Sequence, residues 1–244
     1  MYRVIGVNAA AKVLLDRPAG VTFVFVWYEG IFRWLSHFWP IRIARAESAM
    51  GTVEISWENG HKVLNSSNGN QSFGSLHEVW VQSFEAVGLK ERPIGNALLL
   101  GLGAGSAIHI IRHDLRLRIP ITVIEMDPAM VRIANEHFGL GDHRDVELMQ
   151  GDAIVQVHAL KERFDLVIVD LFNDLDMAMG VDTSGFAHGL RDRCAEGGMV
   201  LFNTVEYDRH SSARCDRVLS NLKKVFSSVK EFKFEGVNRV FVAQ

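Results

Sequence analysis

Four carboxylates fall where strands end or have just ended. Glu125 closes Ile121-Thr122-Val123-Ile124, Asp152 follows the Val146–Met149 run, Asp170 closes Leu166-Val167-Ile168-Val169, and Asp174 comes four residues later. A carboxylate at the end of a buried strand can accept from ribose hydroxyls or from an exocyclic amine. If burial raises its pKa, it can also take a proton as a general base. Upstream lies Asn96-Ala97-Leu98-Leu99-Leu100-Gly101-Leu102-Gly103-Ala104-Gly105-Ser106. Its apolar run reads as a buried strand, and the glycines after it let the backbone turn tightly and approach a ligand closely. The segment Ser106–His113 then opens a helix whose first N–H groups can face that ligand. Gly101, Gly103 and Gly105 are therefore candidate cradle residues, although the spacing is G-x-G-x-G-S and lacks the third glycine of G-x-G-x-x-G. A glycine-rich turn with no ligand is the plain alternative.

Each acid has two readings. Glu125 follows the glycines at the interval of about 20 residues expected of a ribose-binding acid, or is a solvated strand-end carboxylate. Asp152, with the Ala153 N–H beside it, can meet a nucleobase, cap the next helix, or do both. Asp170 is a candidate general base or a structural acceptor. Asn173, Asp174 and Asn203 can line the same mouth. His109 and His113 have the i, i+4 spacing of a metal pair, but no third ligand is evident and packing is the simpler reading. Phe73, Trp80 and Phe84 read as core.

The elements that must position these groups alternate. After the glycine turn come strand 121–125, a helix opened by Asp127 and Pro128, strand 146–149, helix 153–160, strand 166–170, helix 185–194, strand 199–203, helix 211–226, and a closing antiparallel pair at 229–234 and 239–242. Buried strands alternating with helices predict an α/β fold with a doubly wound, mostly parallel sheet, seven-stranded and Rossmann-like. Upstream, residues 52–57 and 62–65 flank Asn59-Gly60 as a hairpin, and Ser75 with Glu78 reads as the capping pair of a helix over 75–87. The expected division is an aromatic extension over 1–45, a small β-lobe over 46–74 and the nucleoside-binding domain over 75–244. In the run from Val21 to Trp39, Glu29, Arg33 and His37 fall on one helical face. Those charges argue against a membrane span, and burial of the aromatic remainder against protein is the expectation, with a homo-oligomer implied. Residues 21–28 read equally as a strand.

The 244 residues carry a net charge of −3, so no basic surplus favours nucleic acid. Two cysteines without a CxxC pairing point to a reducing, cytoplasmic setting.

The glycine turn, Val123-Ile124-Glu125-Met126-Asp127-Pro128, Gln150-Gly151-Asp152-Ala153 and Val167-Ile168-Val169-Asp170 occur in an order and spacing that resemble the spermidine synthase family, a branch of the class I AdoMet-dependent methyltransferase fold. The resemblance covers about residues 47–244, including a hairpin lobe that ends at Gln71. It implies a donor, S-adenosyl-L-methionine (AdoMet) or its decarboxylated form, without a metal. Gln71, Glu125, Asp152 and Ala153 would lie on its nucleoside, with Gly101, Gly103 and Gly105 beneath. It implies Asp170 as the base that deprotonates a small-molecule acceptor such as an amine. The departures cluster at the amine end. Ala104 replaces an aspartate that holds the donor ammonium, Trp80-Val81-Gln82 replaces Tyr-His-Glu, Asn173 replaces the second aspartate of Asp-x-x-Asp, and Glu235-Gly236-Val237-Asn238 replaces a Tyr-Pro loop. On this reading only Asp170 clearly remains of the amine-binding acids. Methyl or alkyl transfer to another acceptor is the leading expectation. True aminopropyl transfer, a non-catalytic nucleoside-binding protein and an NAD-dependent oxidoreductase are the alternatives.

Overall fold

The computed structural model describes residues 29–49, 51–66, 69–234 and 236–244. Contacts divide the chain into two units, one holding residues up to Arg42 with Trp57–His61 and the other Ile43–Ser56 with Lys62–Gln244. Residues 1–28, which include much of the aromatic run, lie outside the described residues.

The larger unit is built on a seven-stranded sheet. Its strands are β5 (Ala97–Leu100), β6 (Ile121–Glu125), β7 (Val146–Gln150), β8 (Phe164–Val169), β11 (Cys194–Val205), β12 (Val229–Phe234) and β13 (Asn238–Ala243). Their order is β12-β13-β11-β8-β5-β6-β7. β5 pairs in parallel with both β6 and β8, and β11 continues parallel beside β8. β13 then runs antiparallel against β11 and β12. The chain thus steps one way from β5 to β6 and β7, and the other way to β8 and β11. The switch point lies between β5 and β8, where open α/β sheets bind ligands.

Alternation along β5 explains why both faces of the sheet are covered. Leu98 and Leu100 join Val157, Phe186, Leu190, Val218 and Leu222 on one face, whereas Ala97 and Leu99 join Trp80, Phe84, Ile108 and Ile111 on the other. The helices behind these contacts are α1 (Ser75–Ala86), α2 (Ser106–His109), α3 (Pro128–His137), α4 (Ala153–Ala159), α5 (Ser184–Arg193) and α6 (Arg209–Val225). Each fully buried Leu or Phe contributes about 1.5–3 kcal/mol, so both layers hold the sheet.

Upstream, β1 (Ile41–Ser48), β2 (Gly51–Glu58), β3 (His61–Ser66) and β4 (Asn70–Ser72) form a four-stranded sheet. Asn59 and Gly60 both have positive φ, 49° and 82°, as a two-residue hairpin turn requires. Val53, Ile55 and Leu64 from this sheet pack with Met130, Ile133 and Ala104.

Several local expectations change. β1 adds a strand before the expected hairpin, because Ile41, Ile43 and their neighbours alternate only weakly. Gly74, not Ser75, is the N-cap of α1, and no side chain caps it. Helix α2 gives way after one turn to a π-helical turn over Ile110–Asp114. The 172–177 segment forms a short hairpin, β9 (Phe172–Asn173) and β10 (Asp176–Met177), too brief for periodicity to register. In the smaller unit, residues 29–35 are helical, and among the described residues Ile31, Trp34, Phe38 and Trp39 are exposed; the first part of the run expected to be buried, residues 19–28, lies outside the described residues.

A Cβ added to Gly101 (φ 88°) would lie 2.1 Å from the Asp170 carbonyl oxygen, whereas one added to Gly236 (φ 74°) would meet open space. Gly101→Ala should therefore cost roughly 2–5 kcal/mol through strain and overlap together. Gly236→Ala should cost only the backbone term of about 1–2 kcal/mol. Urea unfolding of the two variants checks this, and equal losses would show that the two strand ends are not in contact.

Candidate active site

The sheet's switch point carries the site. As β5 ends, the Gly101 N–H donates to the Ile124 carbonyl at 2.9 Å and the Asp170 N–H donates to the Leu100 carbonyl at 2.8 Å. The glycine turn then rises between two carboxylates. Glu125 Oε2 accepts from the Leu102 N–H and Oε1 from the Asp127 N–H, both at 2.8 Å. Burial pushes the Glu125 carboxyl above its ordinary range, and the backbone donors from Asp127 and Leu102 oppose that shift. Asp127 is itself committed, Oδ1 to the Ala129 N–H and Oδ2 to the Ala49 N–H. At the end of β7, Asp152 caps α4 by accepting from the Ile154 N–H at 2.9 Å with Oδ1, so Oδ2 is not needed for the cap.

Asp170 ends β8 inside a chain of neutral donors. Trp80 Nε1 donates to Oδ2 at 3.0 Å and Asn203 Nδ2 donates to Oδ1 at 3.0 Å. Asn203 Oδ1 in turn accepts from Asn238 Nδ2 at 3.0 Å. Burial raises the Asp170 pKa above the usual carboxylate range, and the bonds from Asn203 and Trp80 pull it back. A carboxylate so placed is held in one orientation and is more basic than a solvated one.

These groups line a cavity of about 490 Å³, within the size range of small-molecule sites. Gly101, Gly103, Glu125, Asp152, Ala153, Asp170, Asn173, Asp174 and Asn203 all reach it, as do Asp127 and Asn238. Among the described residues the lining includes five carboxylates (Glu125, Asp127, Asp152, Asp170 and Asp174) and no Lys, Arg or His. Such a lining favours a cationic ligand, because an anion would meet repulsion with nothing to offset it. Asp174 sits at the turn between β9 and β10 with φ 59° and accepts from the Ser66 hydroxyl.

Other expected residues fall elsewhere. Gly105 opens α2 with φ 95° and lies on a small adjacent pocket with His109 and His143 instead of the main cavity. Gln71 lies in β4, and its side chain is outside the described residues. Ala104 is buried at 1% exposure among Val53, Ile55 and Met130, an apolar seat that leaves no room for a solvated charge. His109 and His113 pack with His77 and His143, at ring separations of 6.0, 4.4 and 5.8 Å along the series His77, His109, His113, His143. Burial first, and then neighbouring positive charge, lowers the pKa of His109 and His143. Among the described residues no group of three or more His, Cys, Asp or Glu is arranged to hold a metal ion.

Two site residues escaped the sequence reading. Trp80 was read as core and is fully buried, but its indole N–H also holds Asp170. Its alignment with a polar aromatic of the resembled family is the signal that could have found it. Asn238 was read as part of a short turn, and nothing local marks it.

Comparison with known proteins agrees with this geometry. A sequence model of the Spermine/spermidine synthase domain matches residues 87–235, and the chain belongs to that family. Among curated relatives, a polyamine aminopropyltransferase from Thermoanaerobacter sp. is 29% identical over 140 residues, 55% of this chain and 48% of that one, so the chain spans about half of that protein's length. Among solved structures, a probable spermidine synthase from Corynebacterium glutamicum superposes with a TM-score of 0.70 at 15% identity, covering 82% of this chain and 79% of the other. Human Methyltransferase-like protein 13, solved in complex with SAH, gives 0.57 at 22% identity over 70% and 82% of the two chains. At these identities the structural likeness establishes the Rossmann-like methyltransferase fold alone.

Carboxyl-labelled aspartate followed by NMR should show Asp170 titrating above the ordinary carboxylate range. Trp80→Phe removes a bond that favours the charged form, so the midpoint should rise further. A midpoint that falls or stays put in Trp80→Phe would show that the indole does not hold the ionised carboxylate.

Proposed function

We propose that this protein is an alkyltransferase that binds a sulfonium nucleoside, AdoMet or its decarboxylated form, and transfers an alkyl group to an amine acceptor. The observation that carries the reading is the acid-lined cavity at the switch point, with Asp170 fixed at its wall. Family membership and the methyltransferase fold support the donor class.

In this reading the glycine turn lies beneath the nucleoside, Glu125 accepts from the ribose, and Asp152 with the Ala153 N–H meets the base. The acceptor nitrogen attacks the carbon bonded to sulfur. The C–N bond forms as the C–S bond breaks, and its electron pair returns to sulfur, leaving a neutral thioether. The proton released from nitrogen passes to Asp170. Holding nitrogen and carbon in line supplies much of the acceleration, and Asp170 adds general-base assistance. Asn173 and Asp174 flank the acceptor, with Asn203 holding Asp170 in place.

Methyl transfer is the form we favour over aminopropyl transfer. In this reading Glu125 and Asp152 serve the nucleoside and Asp127 caps a helix, so Asp170 and Asp174 are the lining acids left to replace the hydration of an entering amine, and a dication loses several kcal/mol of hydration per charge. The free, buried thiols of Cys194 and Cys215 support a reducing, cytoplasmic setting.

The test offers the full chain AdoMet with a panel of amines and, separately, decarboxylated AdoMet with putrescine. Methylated amine should form, and Asp170→Asn should slow it at least about a hundredfold while nucleoside affinity holds. Spermidine formed at about 10 per second, the median enzyme turnover, would reverse the choice of transferred group. Calorimetry on Glu125→Ala should show nucleoside binding weaker by about 1.5–3 kcal/mol, and unchanged binding would remove Glu125 from the ribose.

A further inference from the structure

We propose, resting on the alkyl-transfer reading above, that the acceptor is a monoamine with an apolar body, such as an alkylamine, and that Leu175 and Val237 select it. Large apolar side chains left exposed are few in the larger unit. Among its described residues they are Met126, Val155, Leu175, Met179, Tyr207 and Val237. All but Val155 and Tyr207 lie on the wall of the crevice. Scattered singly, such residues need no explanation, but gathered at one cavity they form a surface that a ligand with an apolar part would cover.

The sheet order assigns two of them to the acceptor. Glu125 and Asp152 come at the ends of β6 and β7, on one side of β5, whereas Asp170 and Asn203 belong to β8 and β11 on the other. Val237 stands immediately before β13, which pairs with β11. Its carbonyl accepts from the Glu206 N–H at 2.7 Å, and the next residue, Asn238, bonds the Asn203 that holds Asp170. Leu175 sits in the turn between β9 and β10, just after β8. Its side chain rests so close to Gly69 that a Cβ there would lie 2.7 Å from Leu175 Cδ2. Both residues are therefore fixed near the proposed base, and the half-buried Phe172, Ala178 and Val205 continue the same apolar wall.

The polar groups of this half suit one ammonium better than two. Asn203 gives its amide N–H to Asp170 and its oxygen to Asn238. Asp174 lies out at the hairpin turn and already accepts from the Ser66 hydroxyl. Asp170 is then the acid that meets the reacting nitrogen. A second ammonium further along the acceptor would give up water for Leu175, Val237 and their apolar neighbours, with Asp174 as its single acid, shared with Ser66. A methyl group at the same place would cover those side chains and lose no hydration of that kind.

The test is methyl transfer from AdoMet by the full chain to hexylamine and to 1,5-diaminopentane, which are of equal length and differ at one end. The series from propylamine to hexylamine is measured alongside, and AdoMet binding is read by calorimetry. KM should fall about fourfold for each added methylene. Hexylamine should exceed the diamine in kcat/KM by at least about tenfold. Val237→Asp and Leu175→Asp should each raise KM for hexylamine about tenfold, leave kcat nearly unchanged and narrow its lead over the diamine. If one variant does not fold, the other decides. A KM indifferent to chain length, a diamine used as well as hexylamine, or variants that leave their ratio unmoved overturns the inference while alkyl transfer stands. So does preference for a lysine-bearing peptide. AdoMet bound with no amine alkylated, or AdoMet not bound at all, overturns the transfer reading and this inference with it.

Discussion

The constraint on which the rest depends is the close approach of two strand ends. β5 and β8 run so near each other at Gly101 and Asp170 that no side chain fits on the first. The Asp170 N–H is spent on the Leu100 carbonyl and the Gly101 N–H on the Ile124 carbonyl, so the ladder continues to the last residue of each strand. Beyond that point the chain must leave the sheet, and it leaves by the glycine turn. Its next N–H, that of Leu102, is met by the carboxylate ending β6. The crevice, its floor and two of its acids follow from one crowded junction between parallel strands.

That junction also sets the electrostatics. Glu125 and Asp170 are both raised by burial, and both are steadied by neutral donors instead of cations. A salt bridge would have satisfied them internally and left the cavity indifferent to charge. Neutral donors fix the orientation of the carboxylates while leaving their negative potential uncancelled. The described part of the cavity wall adds three further carboxylates and no base. Negative charge gathered on one crevice wall without a cation beside it becomes favourable when a cation enters. A sulfonium nucleoside is a ligand whose charge lies at its reacting centre, which ties recognition to the atom that must react.

Much of this was legible before any coordinates, and the reasons are local. Four consecutive apolar residues ahead of alternating glycines define β5, and strand-end acids mark β6 and β8, because sheet strands buried on both faces must be apolar until they emerge. Asp127 with Pro128 and Asp152 marked helix starts, and both prove to be caps. What escaped notice comes from elements brought together by topology. Trp80 reaches Asp170 across 90 residues of chain, and Asn238 reaches Asn203 only because β13 folds back antiparallel on β11. Periodicity correctly marked Trp80 as buried but could not say that its one polar atom had a partner in the crevice. In the aromatic turn at residues 31–39, among the described residues, Ser36 is the one that is buried, for the hydrogen bonds it makes and not for any apolar character.

Binding by the purified full chain, read by calorimetry with AdoMet, decarboxylated AdoMet, methylthioadenosine and NAD, tests the central claim most directly. An acid-lined crevice should take a sulfonium nucleoside and refuse NAD, whose pyrophosphate would face carboxylates without a compensating cation. The account predicts saturable binding of AdoMet or its decarboxylated form and none of NAD. Binding of NAD with neither sulfonium nucleoside bound would contradict it.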